Sequence, residues 1–208
     1  MPRPSNREHL LDCAEELYAT QGVGAVSLRT IQSAAGLSVG SLRYHFKTEA
    51  DLVSAVVERR IAPLMARHEA LLENVASNPT PSAREVLGAM VGPLAELLYT
   101  KPEQGRRYLM LLHRLRVARR ATPLVLEQWP DVAERAGSLI QKSLPHLPRA
   151  VIEFRFDLAW DTILASLAEA AGLPAPDLEK HVVALIDYLS GALEAPQSGR
   201  LPAGSKSN

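Results

Sequence analysis

Apolar residues recur at helical spacing along almost the whole chain, and no clean alternating run of five residues bounded by turns interrupts them. The first stripe, Leu10, Cys13/Ala14, Leu17 and Tyr18, opens on Ser5-Asn6-Arg7-Glu8. That is a capping box, in which Ser5 accepts from the Glu8 amide and Glu8 reaches back. Gly22 and Gly24 are expected to stop the helix. A short segment from Ser27 to Ala35 follows, with Leu28, Ile31 and Ala34/Ala35 on one side and Gly36 at its end. Ser38 caps another short segment that turns Leu42 and either Tyr44 or Phe46 inward. Two short helices joined by a glycine turn form a helix-turn-helix pattern. Thr48 then caps a long stripe running from Leu52 through Val56, Ile61 and Leu72 to Val75, which Pro63 is expected to kink or divide.

Ser77-Asn78-Pro79-Thr80-Pro81 is the clearest break. Ser82 to Glu85 repeats the capping box and predicts a helix to about Tyr99. Further helices are predicted at 103–119, at 123–143 with Thr122 as cap and Pro123 at the first helical position, at 149–171 and at 176–194. Residues 195–208 are rich in Pro, Gly and Ser and are expected to form a disordered tail. The fold predicted is all-α, with about nine helices: three short ones followed by about six longer ones. It divides into 1–48, carrying the helix-turn-helix, and 49–194, a helical remainder.

Composition narrows the class. Of 208 residues, 47% are hydrophobic and 22% charged, the balance of a folded soluble protein. The longest stretch free of Asp, Glu, Lys, Arg and His is Thr30 to Leu42, thirteen residues, short of the roughly 18 a membrane span needs. Arg7, Glu8 and Asp12 interrupt any apolar core of a signal peptide. The single cysteine, Cys13, leaves no internal disulfide and agrees with a cytoplasmic location. It lies on the apolar stripe of the first helix, as a small buried residue would. None of the six histidines forms an i, i+4 pair, so neither a metal site nor a cofactor is expected.

Lys plus Arg and Asp plus Glu are both 23, giving no net charge. Yet from Ser27 to Thr48 there is no acidic residue, while Arg29, Arg43 and Lys47 are basic. Such a surface suits phosphates, whose neutralisation releases counterions; an ordinary helical hairpin could carry it equally well. The residues decide more than the charge. Ser27-Leu28-Arg29-Thr30-Ile31, Ala34-Ala35-Gly36-Leu37-Ser38-Val39-Gly40-Ser41-Leu42, Tyr44-His45-Phe46-Lys47-Thr48 and Leu52 resemble the TetR family of transcriptional regulators over residues 7 to 56. The resemblance implies a homodimer that binds a palindromic double-stranded DNA operator and releases it when a small-molecule effector occupies the C-terminal domain. Two departures stand out. Arg43 replaces a frequent tyrosine, with the aromatic moved to Tyr44, and Glu49 replaces a frequent phosphate-facing lysine, whose role passes to Lys47.

On that basis the helix beginning at Ser38 is expected to enter the major groove. Gly40 lets the backbone come close, Ser41 donates or accepts, and Arg43 offers a fork matched to guanine O6 and N7. Tyr44 and His45 either touch sugar and phosphate or pack, and Phe46 is expected in the core. Ser27, Arg29, Thr30, Lys47 and Thr48 are expected on the DNA backbone. Gly36-Leu37-Ser38-Val39-Gly40 also matches the nucleophile elbow of α/β-hydrolases, with Asp157 and His181 in suitable chain order. That elbow requires a strand before Ser38, where the pattern is helical, so no catalytic residue is assigned and Ser38 as a hydrolase nucleophile stays a remote alternative.

In the C-terminal half, residues 106 to 120 carry six arginines and no acid; a solvated or salt-bridged face is preferred over an anion site. The helix at 149–171 has two apolar faces, one of Ile152, Phe156, Ala159, Trp160, Ile163 and Leu167, the other of Val151, Phe154, Leu158 and Ala165. Two faces need two partners, so the second is a candidate dimer interface, joined by Val182, Ile186 and Leu189 of the final helix. Met90, Tyr99, Tyr108, Trp129 and Trp160 are candidates to line an effector cavity, although aromatic residues at such spacings are more often plain core. Asp157 and Asp161 either face a cationic ligand or pair with arginines such as Arg114. Control by a protein partner is the alternative to control by a small molecule.

Overall fold

A computed structural model of the chain describes residues 5–119 and 130–196. All regular structure among the described residues is helical. Ser5 caps α1 (Asn6–Gln21) through the Glu8 amide, and Gly22, at φ 92°, closes it. A single 3-10 turn at Val23–Ala25 leads into α2 (Leu28–Ala34) and α3 (Val39–His45). Leu10, Leu11, Ala14 and Tyr18 of α1, with Ile31, Ala35, Leu42 and Phe46, close the small core beneath the two short helices.

Thr48 and Asp51 form a complete capping box at the head of α4 (Glu49–Ala76). The helix is continuous through Pro63, whose ring lies on the exposed side. Proline removes one amide donor, which an exposed face tolerates because water takes up the freed carbonyl. The second capping box, Ser82 with Glu85, opens α5 (Ala83–Thr100). Ser82 donations to the Glu85 carboxylate hold it below the usual carboxylate range.

The centre of the larger bundle is α5, buried at Val86, Leu87, Met90, Val91, Leu94 and Leu98. Around it lie α4, α6 (Pro102–Arg119), α7 (Pro130–Ser143), α8 (Arg149–Ala170) and α9 (Ala175–Glu194). A Cβ on Gly105 would stand 2.7 Å from the Leu97 carbonyl oxygen, so only glycine lets α6 begin this close to α5. The expected start of a helix at Pro123, its cap at Thr122, and the tail beyond residue 196 lie outside the described residues. No helix among the described residues is long and apolar enough to cross a membrane.

Two links fasten α1 to the bundle. Buried Glu15 accepts from Arg59 Nη2 at 2.5 Å and from Arg60 Nε at 3.1 Å, joining α1 to α4. Arg59 also donates to Asp12 at 2.7 Å. From α6, Arg114 donates to the carbonyls of Ala19 and Thr20. Cys13 is half-buried between these elements, and burial together with Asp12 and Glu16 pushes its thiol up, away from a reactive thiolate.

Candidate nucleic-acid interface and effector cavity

Local chemistry builds the helix-turn-helix. Ser27 Oγ accepts from the Thr30 amide at 3.1 Å and shares a 2.8 Å hydrogen bond with Thr30 Oγ1. Ser38 Oγ accepts from the Ser41 amide at 3.4 Å. Between the helices Gly36 takes φ 63°, a left-handed conformation costly for other residues. Gln32 Nε2 donates to the Leu37 carbonyl at 3.0 Å and ties α2 to the turn.

This scaffold presents one continuous polar surface. Ser27, Arg29, Thr30, Ser38, Gly40, Arg43, Tyr44, Lys47 and Thr48 are exposed, and Ser41 and His45 are half-buried. Tyr44 is 86% exposed and its ring meets His45 edge-on, 5.1 Å between centroids. Phe46 takes the inward position, 3% exposed, with the Arg7 guanidinium over its ring. Arg29, Arg43 and Lys47 form no ion pair with any described residue. All eleven residues expected at DNA therefore lie in one segment whose inward side is fixed by Ile31, Leu42 and Phe46.

The elbow reading of Ser38 is not supported. Residues before it form α2 rather than a strand, and its Oγ serves as a helix cap. His181 Nε2 instead shares a 2.8 Å hydrogen bond with Ser166.

The larger bundle encloses a cavity of about 710 Å³ between α5, α6, α7 and α8. Met90, Leu112, Ile152, Phe156, Trp160 and Leu164 give it an apolar floor, and Phe156 stacks near Trp160 at 6.5 Å. Glu134, Arg149, Glu153, Asp157 and Arg116 supply its polar wall. Buried His68 stands behind Trp160, with 6.4 Å between ring centroids, and its Nδ1 lies 3.1 Å from the Ala89 carbonyl. Burial lowers its pKa to about 4 despite that hydrogen bond.

Three of the seven cavity candidates, Met90, Asp157 and Trp160, line it. The other four do not, or are not described. Tyr108 is fully buried between α1 and α4, its hydroxyl donating to the Val57 carbonyl. Tyr99 points outward at 45% exposure from the last turn of α5. Asp161 is held by Arg116 Nε at 2.7 Å rather than facing the space, and Trp129 lies outside the described residues. Arg116 Nη2 also binds Asp157 at 2.6 Å, so both aspartates meet Arg116, while Arg114 turns to the α1 carbonyls. The sequence places the cavity between the helices at 83–100, 103–119, 123–143 and 149–171, and α5, α6, α7 and α8 do wall it; on α7, Gly137 and Ser138, which line the space, were not singled out.

Helix α8 shows the two faces its spacing predicts. Ile152, Ala159, Trp160, Ile163 and Leu167 are buried within the subunit, while Phe154 is 66% and Leu158 48% exposed, with Val151 and Ala165 half-buried. On α9 the expectation needs correction. Ile186 and Leu189 lie with Leu178, Leu185 and Leu193 on the stripe that packs on α5, and are buried. Val182 is half-buried beside that stripe and packs against the core, and the outer face of α9 carries exposed Val183 and Tyr188 instead.

Residues 10–56 match the profile described as bacterial regulatory proteins, tetR family, and residues 88–195 match the tetracyclin repressor-like C-terminal domain. The chain is 31% identical to the HTH-type transcriptional regulator AcrR of Shigella flexneri, over 92% of this chain and 80% of that protein. A shorter match, 33% identical over 73 residues, covers 35% of the chain and 36% of the HTH-type transcriptional repressor KstR2 of Mycolicibacterium smegmatis. In fold it is similar to the SmeT–triclosan complex, with a TM-score of 0.54, 22% identity and coverage of 96% of this chain and 99% of that one. Its helix-turn-helix, its C-terminal bundle and its likeness to AcrR together place the chain in the TetR family of DNA-binding transcriptional regulators.

Proposed function

We propose that the protein is a homodimeric repressor that binds a palindromic operator through residues 1–48 and leaves it when a small molecule fills the cavity of residues 49–194. The observation that carries this reading is the acid-free surface of residues 27–48, where Arg29 on α2, Arg43 on α3 and Lys47 just beyond it stand exposed without an ion pair among the described residues. Charge-neutral proteins leave such a surface uncompensated where phosphate is to compensate it. Ser41 and Arg43 face the bases, with Gly40 letting the backbone approach; Ser27, Arg29, Thr30, Tyr44, His45, Lys47 and Thr48 face the sugar-phosphate backbone.

A twofold mate is supported by the outer sides of α8 and α9, where Phe154, Leu158, Val183 and Tyr188 are exposed apolar side chains. The open cavity favours a small molecule over a protein as effector, and the triclosan-bound SmeT shows that a protein of this fold accommodates one. Repression is the sense suggested by KstR2, which is named a repressor.

Sequencing the genomic fragments retained by the purified protein at low salt tests the reading. Two inverted half-sites with centres about one helical turn apart, or a multiple of it, are expected. Failure to retain any duplex, or retention without sequence preference, overturns it.

A further inference from the structure

The helix that forms one wall of the cavity also holds the far end of α1. Arg114 of α6 donates from Nε to the Ala19 carbonyl at 2.7 Å and from Nη2 to the Thr20 carbonyl at 2.8 Å. These carbonyls end a helix that has no basic residue in its own last turn. A guanidinium there satisfies two orphan acceptors and offsets the negative end of the helix dipole. The chain then reverses at Gly22, where a Cβ would stand 3.5 Å from Arg114 Nη1, and runs through the Val23–Ala25 turn to Ser27. Only six residues separate Thr20 from Ser27, so the grip of Arg114 sets where the head of α2 lies, with Ser27, Arg29 and Thr30 on it.

Two residues on, Arg116 leaves α6 on nearly the opposite side, because successive helical positions turn by about 100°. There it lines the cavity and binds Asp157 and Asp161 of α8. One turn of one helix thus touches both the cavity and the turn that precedes α2.

We infer that Arg114 is the positioning residue that couples the two: occupancy of the cavity shifts α6 through Arg116, and the Arg114 fork carries that shift to the α1–α2 connection. This rests on the reading of the cavity as the effector site. Besides this fork, α6 packs along α1 and against the Val23–Ala25 turn, and Arg114 is the side chain of α6 that hydrogen-bonds the backbone there. Arg107 meets Glu16 at 3.4 Å on the surface, and Tyr108 reaches α4 rather than the turn.

A double-mutant cycle tests it without knowledge of the effector. Gly137 lines the cavity, and a Cβ there meets nothing within 4 Å, so Gly137→Trp fills the space with a tethered indole. Affinity for the retained duplex is measured by fluorescence anisotropy for wild type, Gly137→Trp, Arg114→Lys and the double variant. Lysine keeps the charge but lacks the rigid planar fork that holds both carbonyls in one geometry. Gly137→Trp should weaken binding about tenfold when Arg114 is present and by less than about twofold beside Arg114→Lys. Equal losses in both backgrounds would show Arg114 to be structural only and overturn the inference while leaving the cavity reading intact. Unchanged binding by Gly137→Trp alone overturns the cavity reading, and the inference with it. Ser138→Phe, from the neighbouring cavity position, replaces Gly137→Trp if that variant loses its cooperative melt.

Discussion

The helix-turn-helix and the larger bundle use the same residue types to opposite ends. In the bundle and at its junction with α1, arginines are spent internally. Arg59 and Arg60 share Glu15, Arg67 meets Glu96, Arg116 meets two aspartates, and Arg114 and Arg155 grip backbone carbonyls. On α2, on α3 and just beyond it, Arg29, Arg43 and Lys47 meet no carboxylate among the described residues. An internal pair fixes one element against another, whereas an uncompensated cation waits for an external anion. The contrast distinguishes a surface that binds from a scaffold that positions it.

The sharpest way to break this comparison is at Glu15. Its side chain is 3% exposed and bridges two guanidiniums that are themselves largely covered. Removing it leaves Arg59 with Asp12 and Glu8 at the surface and strips Arg60 of its partner. Glu15→Ala should therefore destabilise the fold by about 3 kcal/mol, read as a lower urea midpoint at unchanged m-value. A loss below about 1 kcal/mol would mean that the network is as dispensable as an exposed pair.

His68 sharpens the other half of the contrast, since it is a titratable group that the bundle keeps neutral. An unfolded histidine titrates near pH 6.5, and the folded one near 4. Between those values the unfolded chain takes up a proton that the folded chain refuses. Stability from this group is complete above about pH 6.5 and falls by roughly 3 kcal/mol as the pH drops to 4. His68→Gln can still donate to the Ala89 carbonyl but does not titrate. Its stability should decline less steeply across that window, by up to one proton in slope; identical slopes would show that His68 protonates freely in the fold.

Much of the fold could be read from the chain because its signals are local. Capping boxes at Thr48 and Ser82, the Ser5 cap (where Glu8 pairs with Arg7 and Arg59 and does not complete the expected box) and stops at Gly22 and Gly36 act within four residues, and the helices start and end there within a residue or two. The residues proposed to face DNA lie together for the same reason, being one contiguous segment. Of the cavity, the four helices that wall it could be read but not which side chains line it. Whether Tyr108 faces space or core depends on the packing of α6 against α1 and α4, which no helical wheel contains. The same holds for Ile186 and Leu189, whose stripe is plain but whose partner, α5, is not named by spacing.

Within the DNA-facing half, Arg43 and Lys47 should differ in kind. Arg43→Ala should cost about 1–3 kcal/mol of operator affinity and relax preference at one base position in each half-site. Lys47→Ala should weaken all duplexes alike and lower the slope of log affinity against log salt by about one per subunit. Competition titrations against single-base operator variants at several salt concentrations separate the two. Equal preference losses from both would erase the division between base and phosphate contacts.

The two glycines that flank Ser38 give the finest comparison, because neither has a neighbour that a methyl group would strike. A Cβ on Gly36 meets nothing within 4 Å, yet its φ of 63° makes alanine strained there. Gly36→Ala should cost roughly 1 kcal/mol of stability, and Gly36→Asn less, since asparagine tolerates that conformation. Gly40 lies in α3 with ordinary helical backbone, its would-be Cβ 4.0 Å from Ser38 Oγ. Alanine there should raise stability by about 0.5 kcal/mol through helix propensity. If the α3 backbone lies against a base edge, the same methyl group lowers operator affinity, so stability and binding move in opposite directions at Gly40. Thermal melts paired with anisotropy titrations read both quantities on one sample. A Gly40→Ala protein that is more stable and binds as tightly as wild type would place that face of α3 away from the DNA.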